Sequence, residues 1–573
     1  MNAQEKIKNT GATFTPRKLA SFLADEILKH VNIDNFLNVL DPSCGDGELL
    51  IAMKSAIESR KGKFALTGFD TSFEYLESAR LRLKEEGYYQ PNLIQNDFLE
   101  VIDINSDQVR LNLVKEYEPS LINNSADVII ANPPYVRTQI LGSEKAQYLA
   151  NKFNLKGRVD LYYPFLIAMT EALKTGGIIG VITSNKYFST KGGESIRRYL
   201  ADNYEILEVF DLGDTKLFSA AVLPAILIGR KKSQKERQIS ETRFTKVYED
   251  FNEYKGSVVK ASTIYEILKL SSSGYFQTND KTYKVTQGIL KSGNGNSAAW
   301  QMLNEQEAVW CQTIKQNSKN QIKDFFKVRV GIKTTADKVF ISENWDELGE
   351  NKPEESLLKD LISQENIDRW NVNQSVKLKV LYTHFVEDGK KKTIQLNQYP
   401  KAEQYFLSHQ ERLQGRTYVI EAGREWFEIW VPQNPDFWYK PKLVFPDISL
   451  KPRFYFDEKS KIVNGNCYWI LAENENDVDK LLLIQGIANS NLMTKYHDLN
   501  FSNKLYAGRR RYFSQYVEQY PLPNLKSPHS IEIIEVVKEL NKTSNECEIK
   551  LLENRLEELV ARAFGVEPVV NLE

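Results

Sequence analysis

Cysteine is scarce in this 573-residue chain: Cys44, Cys311, Cys467 and Cys547 stand far apart, with no CxxC or other metal-ligand spacing. That excludes a disulfide framework or a zinc site of recognisable spacing, and it fits reduced thiols in a cytoplasmic protein. No run approaches the roughly 18 apolar residues of a membrane span, so no membrane partner is expected. The opening Met1-Asn2-Ala3-Gln4-Glu5-Lys6 lacks the apolar core of a signal peptide. The net charge is only −1, so no global basic field announces nucleic acid. There is no GxGxxG for a dinucleotide and no GxxxxGK[ST] for a nucleotide triphosphate. Tryptophan is missing from the first 299 residues, all eight lying between Trp300 and Trp469.

What is present is ordinary globular composition, 42% hydrophobic and 26% charged, at a length that suits two to four domains. Residues 1–235 alternate strand and helix patterns. Val39-Leu40, Phe64–Phe69, Val128–Ala131, Ile178–Thr183, Ile206–Asp211 and Ala221–Gly229 read as buried strands, and Leu19, Phe22, Leu23, Ile27 and Leu28 keep a helical period. Such alternation predicts an α/β fold with a parallel, doubly wound, Rossmann-like sheet. The basic run Arg230–Lys235 suggests a boundary, which makes 236–528 a second, aromatic-rich region of mixed α/β character. Residues 529–573 then read as terminal helices, with Ile549, Leu552, Leu556, Leu559 and Ala563 at steps of three and four. Packing on the protein's own core is the expected use of that seam, ahead of a coiled coil.

Three strand ends carry polar residues suited to one ligand. Asp41-Pro42-Ser43-Cys44-Gly45-Asp46-Gly47 follows the first strand, where Gly45 and Gly47 let the backbone turn and approach a ligand closely. Asp70 ends the second strand and can accept from two ribose hydroxyls. Asp97 ends the third and can accept from an adenine amino group, with Phe98 placed to cover the ring. In sequence order these describe the adenosine pocket that S-adenosylmethionine needs. Upstream, Thr10-Gly11-Ala12-Thr13-Phe14-Thr15-Pro16 precedes a helix. Thr15 reads as its N-cap and Pro16 as its first residue, and the turn is placed to close over the methionine end of the cofactor.

After the fourth strand stands Asn132-Pro133-Pro134-Tyr135. A side-chain carbonyl, a backbone carbonyl held by proline and a flat ring form a clamp for the amino group of a planar substrate. Accepting both amino hydrogens, through Asn132 and the Pro133 carbonyl, would polarise the nitrogen toward sp³ character for attack on a methyl group. Orientation and preorganised electrostatics carry that scheme, with no metal. Alone, the clamp leaves the substrate open among a DNA base, an RNA base and a glutamine side chain.

The order Gly11–Pro16, Asp41–Gly47, Asp70, Asp97-Phe98 and Asn132–Tyr135 resembles the γ group (TaqI-type) of adenine-N6 DNA methyltransferases of restriction-modification systems. The resemblance implies a bacterial or archaeal enzyme whose target recognition domain follows the catalytic motifs. It implies S-adenosylmethionine as cofactor, double-stranded DNA as substrate and a separately encoded restriction endonuclease as a candidate partner. It also implies that Phe165, in Asp160–Phe165, packs on the cofactor adenine, that Tyr135 stacks on a flipped adenine, and that Phe218 supports its other face. Asp41 and Asp70 stand where many members have Glu, and Ala220-Ala221 blurs the motif after Phe218.

The long tail favours DNA over the runner-up, an RNA or protein-glutamine amino-methyltransferase, because a glutamine methylase needs only a small appended domain. A DNA-binding protein with a decayed methylase site is a lesser alternative. Val328–Thr334, Lys440–Phe454 and Asn464-Gly465-Asn466, then Gly508–Tyr512 and Tyr520–Pro523, resemble parts of γ-type recognition domains. Residues 501–528 carry a net charge of +4 and residues 529–573 a net −5. Arg329, Lys333, Arg509, Arg510 and Arg511 are the expected DNA contacts. Lys390-Lys391-Lys392 reads as a solvated turn first and a second contact loop next.

Overall fold

The computed structural model describes residues 14–104, 122–135, 142–155, 160–215, 217, 223–233, 241–250, 256–270, 272–278, 281–292, 299–373, 375–458, 460–501, 505 and 508–569. The chain divides into two compact units, Met1–Glu307 with Leu499–Gly508, and Ala308–Asp498 with Arg509–Glu573.

The first unit is built on β1 (Phe36–Asp41), β2 (Lys63–Asp70), β3 (Asn92–Gln95), β4 (Ala126–Ala131), β5 (Leu173–Ser184), β6 (Tyr204–Asp211), β7 (Pro224–Lys231), β8 (Arg243–Asp250), β9 (Val259–Lys260), β10 (Gly274–Thr278) and β11 (Lys281–Ile289). They form one sheet in the order β3-β2-β1-β4-β5-β7-β6-β8-β11-β10-β9. β1 pairs in parallel with β2 and β4, β2 with β3, and β4 with β5. β7 runs antiparallel between β5 and β6, so the sheet is mixed rather than wholly parallel.

Alternation along β4 shows why a sheet forms here. Val128 and Ile130 enter one core, with Leu19, Phe22, Leu23 and Ile27 of α1 (Arg17–Leu28) and Leu50, Met53 and Ile57 of α2 (Glu48–Ser59). Ile129 and Ala131 enter the other, with Leu166, Met169 and neighbours of the helix Tyr162–Ala172. Both faces are covered, which suits strands that are apolar throughout.

The boundary expected after residue 235 falls inside this unit. β8 joins β6 in parallel, and β11 and β10 follow as antiparallel neighbours, so the strands between Arg243 and Ile289 extend the sheet. Of the Arg230–Lys235 run, Arg230 and Lys231 end β7 and residues 234 and 235 lie outside the described residues; the onset of tryptophan at Trp300 is the nearer marker of the division. The strand expected at Ala221–Gly229 lies at Pro224–Lys231.

In the second unit, one four-stranded sheet holds Arg329–Val330, Cys467–Leu471, Lys442–Pro446 and Tyr455–Asp457. The C-terminal helices Pro528–Leu540 and Glu546–Phe564 do not stand apart. They pack on the helix Asn476–Asn489, where a Cβ at Gly486 would lie 2.8 Å from Val537 and 3.2 Å from Leu556.

Two of the stretches noted in the sequence meet here. Gly331 donates to the Cys467 carbonyl and Ile332 to that of Val463, which brings Val328–Thr334 against Asn464–Cys467. A Cβ at Gly331 would lie 2.0 Å from the Asn464 carbonyl oxygen, closer than any real contact. Gly331→Ala is expected to destabilise this unit by about 1–3 kcal/mol, as overpacking does. Calorimetry of the full chain should show its melting transition lowered, and an unchanged transition would contradict the close approach.

Candidate active site and nucleic-acid interface

Parallel pairing sets strand ends side by side. Asp41 is in register with Gly68, Leu40 with Ile129, and Asp70 with Gln95. The residues that follow β1, β2, β3 and β4 therefore share one edge, where ligands bind in such sheets.

After β1 the chain turns through Gly45 and Gly47, both at positive φ (+52° and +83°), before entering α2. The Cys44 amide donates to the Phe69 carbonyl at 2.8 Å, and the Gly45 amide to Asp70 Oδ2 at 3.0 Å. From the helix Phe73–Glu85, α3, Arg82 pairs with Asp46 at 2.6 Å and with Glu48, bracing the loop. Phe14 closes over it: a Cβ at Gly45 would sit 3.6 Å from the Phe14 ring, which meets Tyr75 edge-on at 5.3 Å.

Asp41 is fully buried beside the buried Pro42. Its Oδ1 accepts from the Ser43 amide at 3.0 Å, whereas Oδ2 has no hydrogen-bond partner. Burial pushes its carboxyl up to about 8. A buried polar atom without a partner is costly, and a polar ligand relieves it. Asp70 is half-buried and raised by burial, with each carboxylate oxygen accepting one backbone amide, from Gly45 and Ser72. Asp97 caps the short helix Phe98–Val101 through the Leu99 amide at 3.0 Å, and its other oxygen lies 3.8 Å from Lys145.

Phe98, expected to cover a ligand ring, is 1% exposed between Phe69 and Phe165. Phe165 stacks on it at 6.3 Å and keeps the larger exposed share, 6%. Thr10, Gly11 and Phe218 lie outside the described residues.

After β4, Asn132 and Pro133 are buried, and Pro134 and Tyr135 are half-buried. Asn132 Nδ2 donates to Thr15 Oγ1 at 3.0 Å, and the Tyr135 hydroxyl donates to Asn132 Oδ1 at 2.9 Å. Thr15 was expected to cap α1. The cap residue is Pro16, with no side-chain cap bond, and the Thr15 hydroxyl serves Asn132 instead.

One cluster escaped the sequence reading. At the ends of β5 and β6, buried Asp211 accepts from Asn185 at 3.0 Å, from Tyr248 at 2.9 Å and from the Gly213 amide at 3.2 Å. Polar residues closing apolar strands, Asn185 and Asp211, were the available signal. Tyr248 comes from β8, outside the expected domain.

The second unit sorts the expected DNA contacts. Arg509 and Lys333 are exposed. Arg510 is buried, its guanidinium gripped by Asp498 at 2.7 and 2.8 Å and by the Leu450 carbonyl at 2.7 Å, so it is a structural residue rather than a phosphate contact. Arg511 pairs with Asp447 and lies over the Phe513 ring. Arg329 lies over Phe437 and Trp469.

An Eco57I restriction-modification methylase model matches residues 53–218, and a TaqI-like C-terminal specificity domain matches residues 375–522. The chain is 46% identical over 582 residues to the Type II methyltransferase M.BanIII of Aneurinibacillus aneurinilyticus, covering 98% of each. The chain belongs to the Type II DNA methyltransferases of restriction-modification systems. A further member, M.BstVI of Geobacillus stearothermophilus, is 25% identical over 568 residues, covering 92% of each. The Type IIL restriction-modification enzyme MmeI, solved in complex with DNA, shares the fold at a TM-score of 0.61 and 15% identity, over 99% of this chain and 73% of that one. The cofactor of this methyltransferase is S-adenosylmethionine, and the unmatched Asp41 oxygen and the tight glycine turn fit it. Among the described residues no helix is long and apolar enough to cross a membrane, and no metal cluster is present.

The raised Asp41 carboxyl has a consequence for stability. Folded, it holds its proton to about pH 8, whereas unfolded it releases it near 3.8. Its contribution to stability is therefore full below the unfolded value and lost as pH rises through about 8. Asp41→Asn, which cannot ionise, should outlast the native methyltransferase by a margin that widens as pH rises across this window. Melting temperatures without cofactor test this, and a pH-independent margin would contradict it.

Proposed function

We propose that this methyltransferase transfers a methyl group to N6 of an adenine flipped out of double-stranded DNA. The observation that carries the reading is the orientation of Asn132. Its amide is held at both ends, Nδ2 donating to the Thr15 hydroxyl and Oδ1 accepting from the Tyr135 hydroxyl, at the end of the strand next to the cofactor loop. S-adenosylmethionine supplies an electrophilic methyl group when bound.

Asp41, Gly45, Gly47, Asp70, Asp97 and Phe165 hold that cofactor, with Phe14 closing the loop side. Asn132 Oδ1 and the Pro133 carbonyl accept the two amino hydrogens, which localises the lone pair of a poorly nucleophilic nitrogen. The preorganised acceptors act without reorganising as charge develops. Tyr135 provides the ring on which the extruded base stacks, offsetting part of the few kcal/mol that unpairing costs. Phe218 is assigned the opposite wall by resemblance. Family membership disfavours the RNA and glutamine readings, and the intact Asn132–Tyr135 clamp disfavours the decayed-site one.

DNA is held by the second unit through Lys333 and Arg509, with Arg329 and Arg511 as partly engaged contributors. To these we add the two-stranded ribbon His384–Glu387 and Lys390–Thr393, which turns through Asp388 and Gly389 at φ 51° and 70°. Lys390 and Lys391 are exposed on it, and so is Phe385. A two-stranded ribbon fits the DNA major groove, and lysines at its tip can meet phosphates. The modification enzyme's cognate endonuclease is placed on a separate chain.

Asn132→Ala should abolish methyl transfer while equilibrium cofactor binding persists. Near-normal turnover in that variant rejects the scheme. Replacing Lys390 and Lys391 together by Ala should flatten the slope of log affinity against log salt by about 1.8, at about 0.9 per phosphate contact. An unaltered slope removes the ribbon from the interface.

A further inference from the structure

A side-chain amide is nearly symmetric in shape but opposite in chemistry at its two ends. An asparagine that must accept from an amino group works in one orientation only. Turned by 180°, it offers hydrogens to hydrogens. Something must hold the working orientation before the substrate arrives.

Asn132 Nδ2 lies 3.0 Å from Thr15 Oγ1, and Asn132 Oδ1 receives the Tyr135 hydroxyl at 2.9 Å. Tyr135 is three residues along the same turn and belongs to the clamp already described. Thr15 is 117 residues away in sequence, just ahead of Pro16 and α1. Its place is set by burial of Leu19, Phe22 and Leu23 against the sheet, not by the clamp's own loop. Its hydroxyl makes no cap bond to α1.

We propose that Thr15 is a positioning residue for the reacting amino group: by accepting from Asn132 Nδ2 it locks the amide with Oδ1 toward the substrate. This rests on the amino-nitrogen reading above. Donation by Nδ2 also draws density toward Oδ1 and strengthens it as an acceptor, as in other hydrogen-bond chains. The effect belongs to the rate of the bound complex rather than to cofactor affinity. That separates it from a role in closing the cofactor turn.

The test uses the full chain, S-adenosylmethionine and unmethylated plasmid DNA. Thr15→Val keeps the shape and removes the hydroxyl, and Thr15→Ser keeps the hydroxyl. The single-turnover rate at saturating cofactor should fall about tenfold in Thr15→Val, the scale of one hydrogen bond in a barrier. Cofactor Kd should stay within about twofold, and Thr15→Ser should recover most of the rate. A native rate in Thr15→Val overturns the proposal. So does a loss that saturating cofactor erases, or a loss equally deep in Thr15→Ser. If Thr15→Val melts early, Thr15→Ala supplies the same comparison. Identifying the methylated base made by the native protein keeps the two claims apart. A base other than adenine removes the adenine reading, whereas adenine with an unaffected Thr15→Val rate removes only this one.

Discussion

Parallel pairing of β1 with β2 and β4 is the constraint on which the site depends. It brings the carboxyl ends of strands far apart in sequence to one edge, with no side-chain recognition required. Apolar strands buried on both faces hold that edge rigid, as the division of β4 residues between two cores shows. Polar groups at the strand ends or just beyond them then become a constellation. Asp41, the Gly45 loop, Asp70 and Asn132 are brought together this way. The glycine loop is tied to β2 from both sides, through the Phe69 carbonyl and the Asp70 carboxylate. Arg82 of α3 braces it further through Asp46 and Glu48.

Burial gives these groups their chemistry. Asp41 pairs one oxygen with a backbone amide and leaves the other unmatched, so a polar ligand gains more from it than from an exposed carboxylate. Asn132 is buried, with a hydrogen bond at each end of its amide. In the second unit, close backbone contact does comparable work. The approach of Gly331 to Asn464 joins two loops that a side chain would hold apart.

The parts of this arrangement that were legible in the sequence are local ones. A strand ending in Asp, a glycine turn and an Asn-Pro-Pro-Tyr after an apolar run each fit within about ten residues, and the structure places them where those patterns pointed. The unread parts are long-range. The strands between Arg243 and Ile289 join the sheet through β8, parallel to β6, and continue it through antiparallel neighbours, which composition did not reveal. Thr15 looked like a helix cap because its true partner lies 117 residues on. Phe98 is closed in by Phe69 and Phe165, so an aromatic after a strand end did not by itself mean an open face. The run Arg509-Arg510-Arg511 read as one basic patch, but Arg510 and Arg511 pair as a strand with Ile448-Ser449, and the middle side chain turns inward to Asp498.

The central claim is that the clamp built on Asn132 acts on the amino group of adenine. The most direct measurement is nucleoside analysis of DNA incubated with the full chain and isotopically labelled S-adenosylmethionine. The account predicts label in N6-methyldeoxyadenosine. Label in a methylated cytosine instead, or DNA left unlabelled by an active preparation, would contradict it.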